Sequence, residues 1–168
     1  DLYMDQVTTF MESRLKNTSR NPESDKVLTK TMINNYAKND LLPPPVKKKY
    51  SKEHVLMLIF IYYFKGILSI NDIQTLLEPV SRKYFQTDGI YDEVFSLEKS
   101  QVEVLKEDIL HKFETAQGIF EDAPEEDREF LRMFSFVGLL GFDVYIKKLL
   151  IEKMVDELRK SGEQEKGK

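Results

Sequence analysis

The stretch that decides the fold is TKTMINNYAKNDLL (29–42), followed by PPPVKKKY (43–50), SKEHVLMLIFIYYF (51–64) and KGILSINDIQTLL (65–77). Three helical patterns are broken by one segment that cannot be helix. Thr29 or Thr31 can cap the first helix. Met32, Ile33, Tyr36 and Ala37 then face inward, and Lys30, Asn34, Asn35 and Lys38 face outward. Pro43, Pro44 and Pro45 hold the chain extended, and Lys47, Lys48 and Lys49 make the following insert basic and hairpin-like. Ser51 caps a helix to about residue 64 with Val55, Leu58, Ile59 and Tyr62 as its stripe. Ser69 caps the next, with Ile70, Ile73, Leu76 and Leu77 inward and Pro79 after its stop.

Upstream, apolar residues at 3, 7, 10, 11 and 15 form one helical stripe over 2–15, and 18–25 is a polar loop. Downstream, 84–94 reads as a turn-rich link with a short helix. A helix runs from Ser96 or Ser100 to about 120, with Val102, Leu105, Ile109, Phe113 and Ala116 at helical spacing. A last helical pattern, from Pro124 to about 160, meets GLLG at 138–141, where either the helix bends or two helices approach closely. The final SGEQEKGK (161–168) reads as a frayed tail. The expected class is all-α, with a domain at 1–78, a helical dimerisation or effector region at 79–160, and the tail.

Bulk composition narrows the chemistry. The 168 residues include no cysteine and two histidines, which argues against disulfides and a His/Cys metal site. His54 and His111 lie on separate helical patterns with no nucleophile at motif spacing, and no glycine-rich phosphate loop occurs. The expectation is therefore no enzyme, no cofactor and no metal. The longest apolar run, Val55 to Phe64, is ten residues, short of the roughly 18 that a membrane span needs. No basic-then-apolar leader is visible. A reducing cytoplasm and no membrane are expected.

The net charge of −4 is unevenly spread. Residues 26–52 hold seven lysines against one acid, and 88–129 hold fourteen acids against four bases. Such asymmetry points to one part that faces a polyanion and one that faces something else. A helix reads major-groove edges with short polar side chains while lysines neutralise phosphates. Asn34 and Asn35 have the amide that pairs with adenine, and Lys30 and Lys38 suit phosphates. Lys47, Lys48 and Lys49 can reach backbone or minor groove as a wing, supplying salt-sensitive affinity. Tyr36 and Tyr50 stay open between a phenol on phosphate and a core aromatic.

TMINNYAKNDLLPPP, KKYSKEHVLMLIFI and GILSINDIQTLL together resemble the N-terminal winged helix-turn-helix domain of MerR-type transcription regulators. Thr29 stands at the opening Ser/Thr, Tyr36 at the second tyrosine of that family's Thr-Leu-Arg-Tyr-Tyr core, Leu41-Leu42 at the paired leucines and Tyr50 at the wing tyrosine. Leu68 to Ile73 matches the start of the last helix. Asn34 replaces the arginine that grips phosphate in those regulators, and Asn35 replaces the first tyrosine. Lys48 replaces the wing arginine, which keeps charge and loses bidentate geometry. Their metal-sensing cysteines are absent. The whole chain is similar to the bacterial family DUF1836, through LYMDQV and the INNY…K…L…P…KKKY…K pattern. The MerR likeness implies a sequence-specific regulator bound to double-stranded DNA, with recognition helix 29–39 and wing 43–50. It also implies a homodimer through a long later helix and leaves room for an unidentified small-molecule effector. The alternative is a protein–protein interaction module built on the same fold without DNA.

Overall fold

The computed structural model describes residues 1–85, 87 and 89–166, the last four by backbone alone. The fold is mainly helical. Its order is β1 (Leu2–Tyr3), α1 (Met4–Leu15), a 3₁₀ turn (Lys16–Thr18), α2 (Lys30–Lys38), β2 (Lys49–Tyr50) and α3 (Lys52–Phe64). Then follow α4 (Ile70–Pro79), a π turn (Val80–Tyr84), α5 (Ile90–Gln117) and α6 (Glu125–Lys166). The chain divides into two units, Asp1–Tyr91 with Met154–Lys168, and Asp92–Lys153.

The first unit is built by local signals that agree with one another. Thr29 Oγ1 accepts the Met32 N–H at 3.2 Å and starts α2. Leu41 N–H reaches back to the Tyr36 carbonyl at 2.9 Å, with Asp40 left-handed at φ 55°, closing α2 in a Schellman turn. Ser69 Oγ accepts the Asp72 N–H at 3.2 Å and the Asp72 carboxylate accepts the Ser69 N–H at 3.3 Å, so aspartate completes the capping box of α4. Those caps aim Val7, Met11, Ile33, Leu41, Leu42, Met57, Leu58, Ile61 and Ile73 into one core. Each such side chain contributes about 1.5–3 kcal/mol by leaving water. Val155 joins that core, and Arg159 donates to Asp72 at 2.7 Å, fixing the end of α6 within the same unit.

The second unit is an antiparallel helical hairpin. Phe113 meets Phe136 edge to face at 5.4 Å, and Lys112 lies 3.7 Å from Asp143. Arg132 Nε donates to the Ile119 carbonyl at 3.1 Å near the turn. Among its described residues, Ala116 alone is a buried apolar side chain.

Several expectations are corrected. Leu2 and Tyr3 leave the first helix to form β1, because their backbone pairs with Tyr50 and Lys49. Tyr3, Phe10 and Ile70 were expected to face inward and are exposed. Pro79 lies inside α4. It has no N–H for the Thr75 carbonyl, and the chain continues in the wider π register. Helix α5 begins at Ile90, ahead of Ser96, and takes in 90–94 of the expected link. One helix, α6, passes through Gly138-Leu139-Leu140-Gly141 and on to Lys166, so the expected tail is helical that far. Gly167 and Lys168 lie outside the described residues.

Candidate nucleic-acid interface

Helix α2 has two chemically distinct sides. Ile33 and Tyr36 are buried, while Lys30, Asn34, Asn35 and Lys38 are exposed. At about 100° per residue, Lys30, Asn34 and Lys38 lie on one stripe and Asn35 borders it. The Lys30 ammonium pairs with the Asp5 carboxylate at the start of α1, both groups well exposed. Such a pair is worth little and is readily exchanged.

The proline-lysine insert ends in a hairpin. Lys49 N–H donates to the Val46 carbonyl at 2.9 Å, and Val46 bridges Lys49 in antiparallel sense. The two central residues, Lys47 and Lys48, have φ of 50° and 63°. Positive φ at both positions marks the two-residue turn whose twist suits a hairpin, where Asn-Gly is the preferred pair. Two lysines in left-handed backbone cost about 1 kcal/mol or more each. Both are exposed, and among the described residues neither makes an ion pair. Strand β2 continues the hairpin onto β1, through Tyr3↔Lys49 and Leu2↔Tyr50.

The beginning of α1 joins the two basic elements. The Lys49 ammonium sits over the Tyr3 ring, 5.4 Å from its centre, and Lys30 pairs with Asp5, two residues further on. Lys30 of α2 and Lys49 at the base of the hairpin therefore flank one short segment. Neither Tyr3 nor Asp5 stood out as a site residue in the sequence. The usable signal was Gln6 at the third helical position, whose Oε1 accepts the Tyr3 N–H at 2.8 Å and fixes where the strand ends.

Tyr36 and Tyr50 are buried, so both rings belong to the core, and burial pushes both phenols up from their ordinary value. Tyr50 stacks edge-on against His54, the buried polar residue of this core. His54 is 3% exposed and lies between Tyr50 at 5.5 Å and Phe85 at 4.7 Å. Its Nδ1 accepts the Ser51 N–H at 3.0 Å, which assigns the proton to Nε2. Burial pulls its pKa down, and the nearby carbonyls of Pro44 and Pro43 oppose that only in part. The histidine thus packs the start of α3 against Tyr50 and Phe85, with Nε2 buried and without a hydrogen-bond partner among the described residues.

Other chemistry is thin. An open cleft of about 910 Å³ is lined by Asp40, Pro43, Pro44, Glu78, Arg82 and Phe85, among others. Arg82 there is paired with Glu78 at 3.2 Å. Among the described residues no three His, Asp or Glu side chains gather as a metal site. Among them, too, no helix is long and apolar enough to cross a membrane.

Comparison with known proteins adds one result. Neither the curated proteins nor the solved structures yield a significant match. A family model described as "Domain of unknown function (DUF1836)" matches residues 1–100, which takes in β1 to α4 and the start of α5. The chain belongs to the DUF1836 family.

Proposed function

We propose that this protein is a DNA-binding transcription regulator in which α2 lies in the major groove and the Lys47–Lys48 turn contacts the phosphate backbone or minor groove. One observation carries the reading. Two exposed lysines, without an ion pair among the described residues, are held in left-handed backbone at a hairpin tip, where stability alone favours Asn-Gly. Strain of this kind persists where a function uses it. The order of α1, α2, hairpin and α3 supports the winged helix-turn-helix reading, as does the outward stripe of Lys30, Asn34 and Lys38. In this reading Asn34 and Asn35 read base edges, and Lys30, Lys38, Lys47, Lys48 and Lys49 neutralise phosphates. Tyr36 and Tyr50 hold the two elements from behind and do not contact DNA.

The second reading is a protein-interaction module without DNA. The ion pair of Lys30 with Asp5 favours it, since one lysine of the stripe already has a carboxylate. Titration of the purified protein with random and genomic duplexes over a salt series separates the two. Fragments retained well above random background, with steep salt dependence, support the regulator. Absence of binding at low salt overturns it.

A further inference from the structure

We propose that Asp5 is a built-in brake on DNA binding: its carboxylate stands in for a phosphate on Lys30 until a duplex phosphate displaces it. The inference rests on the DNA reading of α2 and adds to it a residue that sets how tightly, and over what salt range, the duplex is held.

The starting point is a lysine placed where its own helix disfavours a cation. Thr29 caps α2, so Lys30 is its first residue, and the first turn holds no acid. The N–H groups of that turn make a positive helix end, which attracts anions and repels cations. Lys30 and the helix end beside it together suit one anion, and a phosphate is the anion that a duplex offers there.

Asp5 supplies an anion when no phosphate is present. It lies in the first turn of α1, and its carboxylate pairs with the Lys30 ammonium. The helix end of α1 accounts for an acid at this position, but not for an acid seated on a lysine of α2. The two side chains are 74% and 61% exposed, so solvent and salt reach the pair and another anion can exchange with the carboxylate. Lys49, which flanks the same segment, faces the Tyr3 ring and keeps its charge uncompensated. The pairing therefore acts on the lysine of the recognition helix.

A phosphate that reaches Lys30 must break this pair and come to rest beside a carboxylate. Both costs are the same for every base sequence, so the brake weakens all duplexes by one factor. It also lowers the salt dependence. The displaced carboxylate takes up a cation from solution, which cancels about one of the cations released from DNA.

The test uses the full chain as wild type, Asp5→Asn, Lys30→Gln and the double variant. Each is titrated over a salt series with a random duplex and with a fragment that the wild type retains. Asp5→Asn should keep the wild-type circular dichroism, because Asp5 is exposed. It is expected to tighten both duplexes about five-fold at low salt and to steepen the logarithmic salt slope by about 1. In the Lys30→Gln background the same change should have little effect, since the carboxylate then has no ammonium to hold. Equal binding by wild type and Asp5→Asn overturns the proposal and leaves the regulator reading intact. So does an equal gain with and without Lys30, which would make Asp5 a general charge only. Absence of duplex binding by all four proteins overturns the regulator reading and the brake with it.

Discussion

At the scale of single residues, two side chains are kept where stability argues against them. Lys47 and Lys48 occupy backbone that suits Asn and Gly. Replacing the pair by Asn-Gly is expected to stabilise the protein by about 1 kcal/mol, as relief of strain exceeds glycine's extra unfolded-state entropy. Urea unfolding checks this. The same variant should bind duplex DNA more weakly, so stability and binding move in opposite directions. A loss of stability would mean that the lysines are held by contacts and not by function. His54 gives a pH signature. Its folded pKa lies below the unfolded value of 6.5, so below about pH 6.5 the unfolded chain binds the proton more readily. Stability from this group is fully present above that pH and is lost progressively as pH falls below it. His54→Gln keeps an acceptor for the Ser51 N–H and is expected to remove that slope below about pH 6.5. Urea midpoints measured across that range for both proteins test the assignment. The slope associated with Glu53 falls lower, because its carboxylate is held below 4.5 by the Ser51 hydrogen bond.

At the scale of elements, Thr29 and Ser69 act as caps whose loss should be felt locally. Thr29→Ala removes the acceptor for the Met32 N–H and is expected to cost about 1 kcal/mol. The first-turn amides of α2 should exchange faster, while α4 should be little affected. Equal acceleration in both helices would contradict the local role. The starts of α2, α3 and α4 were legible because Thr29, Ser51 and Ser69 are short-range signals placed before helical periodicity. Strand β1 was not legible, because its partner β2 lies some 47 residues downstream and two residues carry no pattern of their own. The left-handed turn escaped for the opposite reason: its shape is conventional, but lysine occupies the places where Asn and Gly announce it. Of the two expectations at Gly138–Gly141, a bend or a meeting of two helices, the second does not hold: one helix runs through, because a glycine costs a helix only about 1 kcal/mol, and α6 has 42 residues to offset that.

At the scale of the whole molecule, the two units differ in how fully each covers its own apolar residues. The first has a dense core, and the second leaves most of its large apolar side chains exposed. Helical spacing at Val102, Leu105, Ile109 and Phe113 correctly predicted a helix, but it could not say what would cover that face. Periodicity reports that a surface is apolar, not whether the chain itself buries it. The charge asymmetry was legible from composition. Folding is what sets Lys30 and Lys49 at Asp5 and Tyr3 and leaves Lys47 and Lys48 exposed at the hairpin tip.

The most direct test of the regulator reading is the salt dependence of duplex binding for the wild-type chain and for the Asn-Gly variant at 47–48. If both lysines neutralise phosphates, the logarithmic salt slope should fall by about 2, with binding weakened evenly across sequences. An unchanged slope, or no binding by the wild-type protein at low salt, would contradict the account and assign the basic surface to a protein partner.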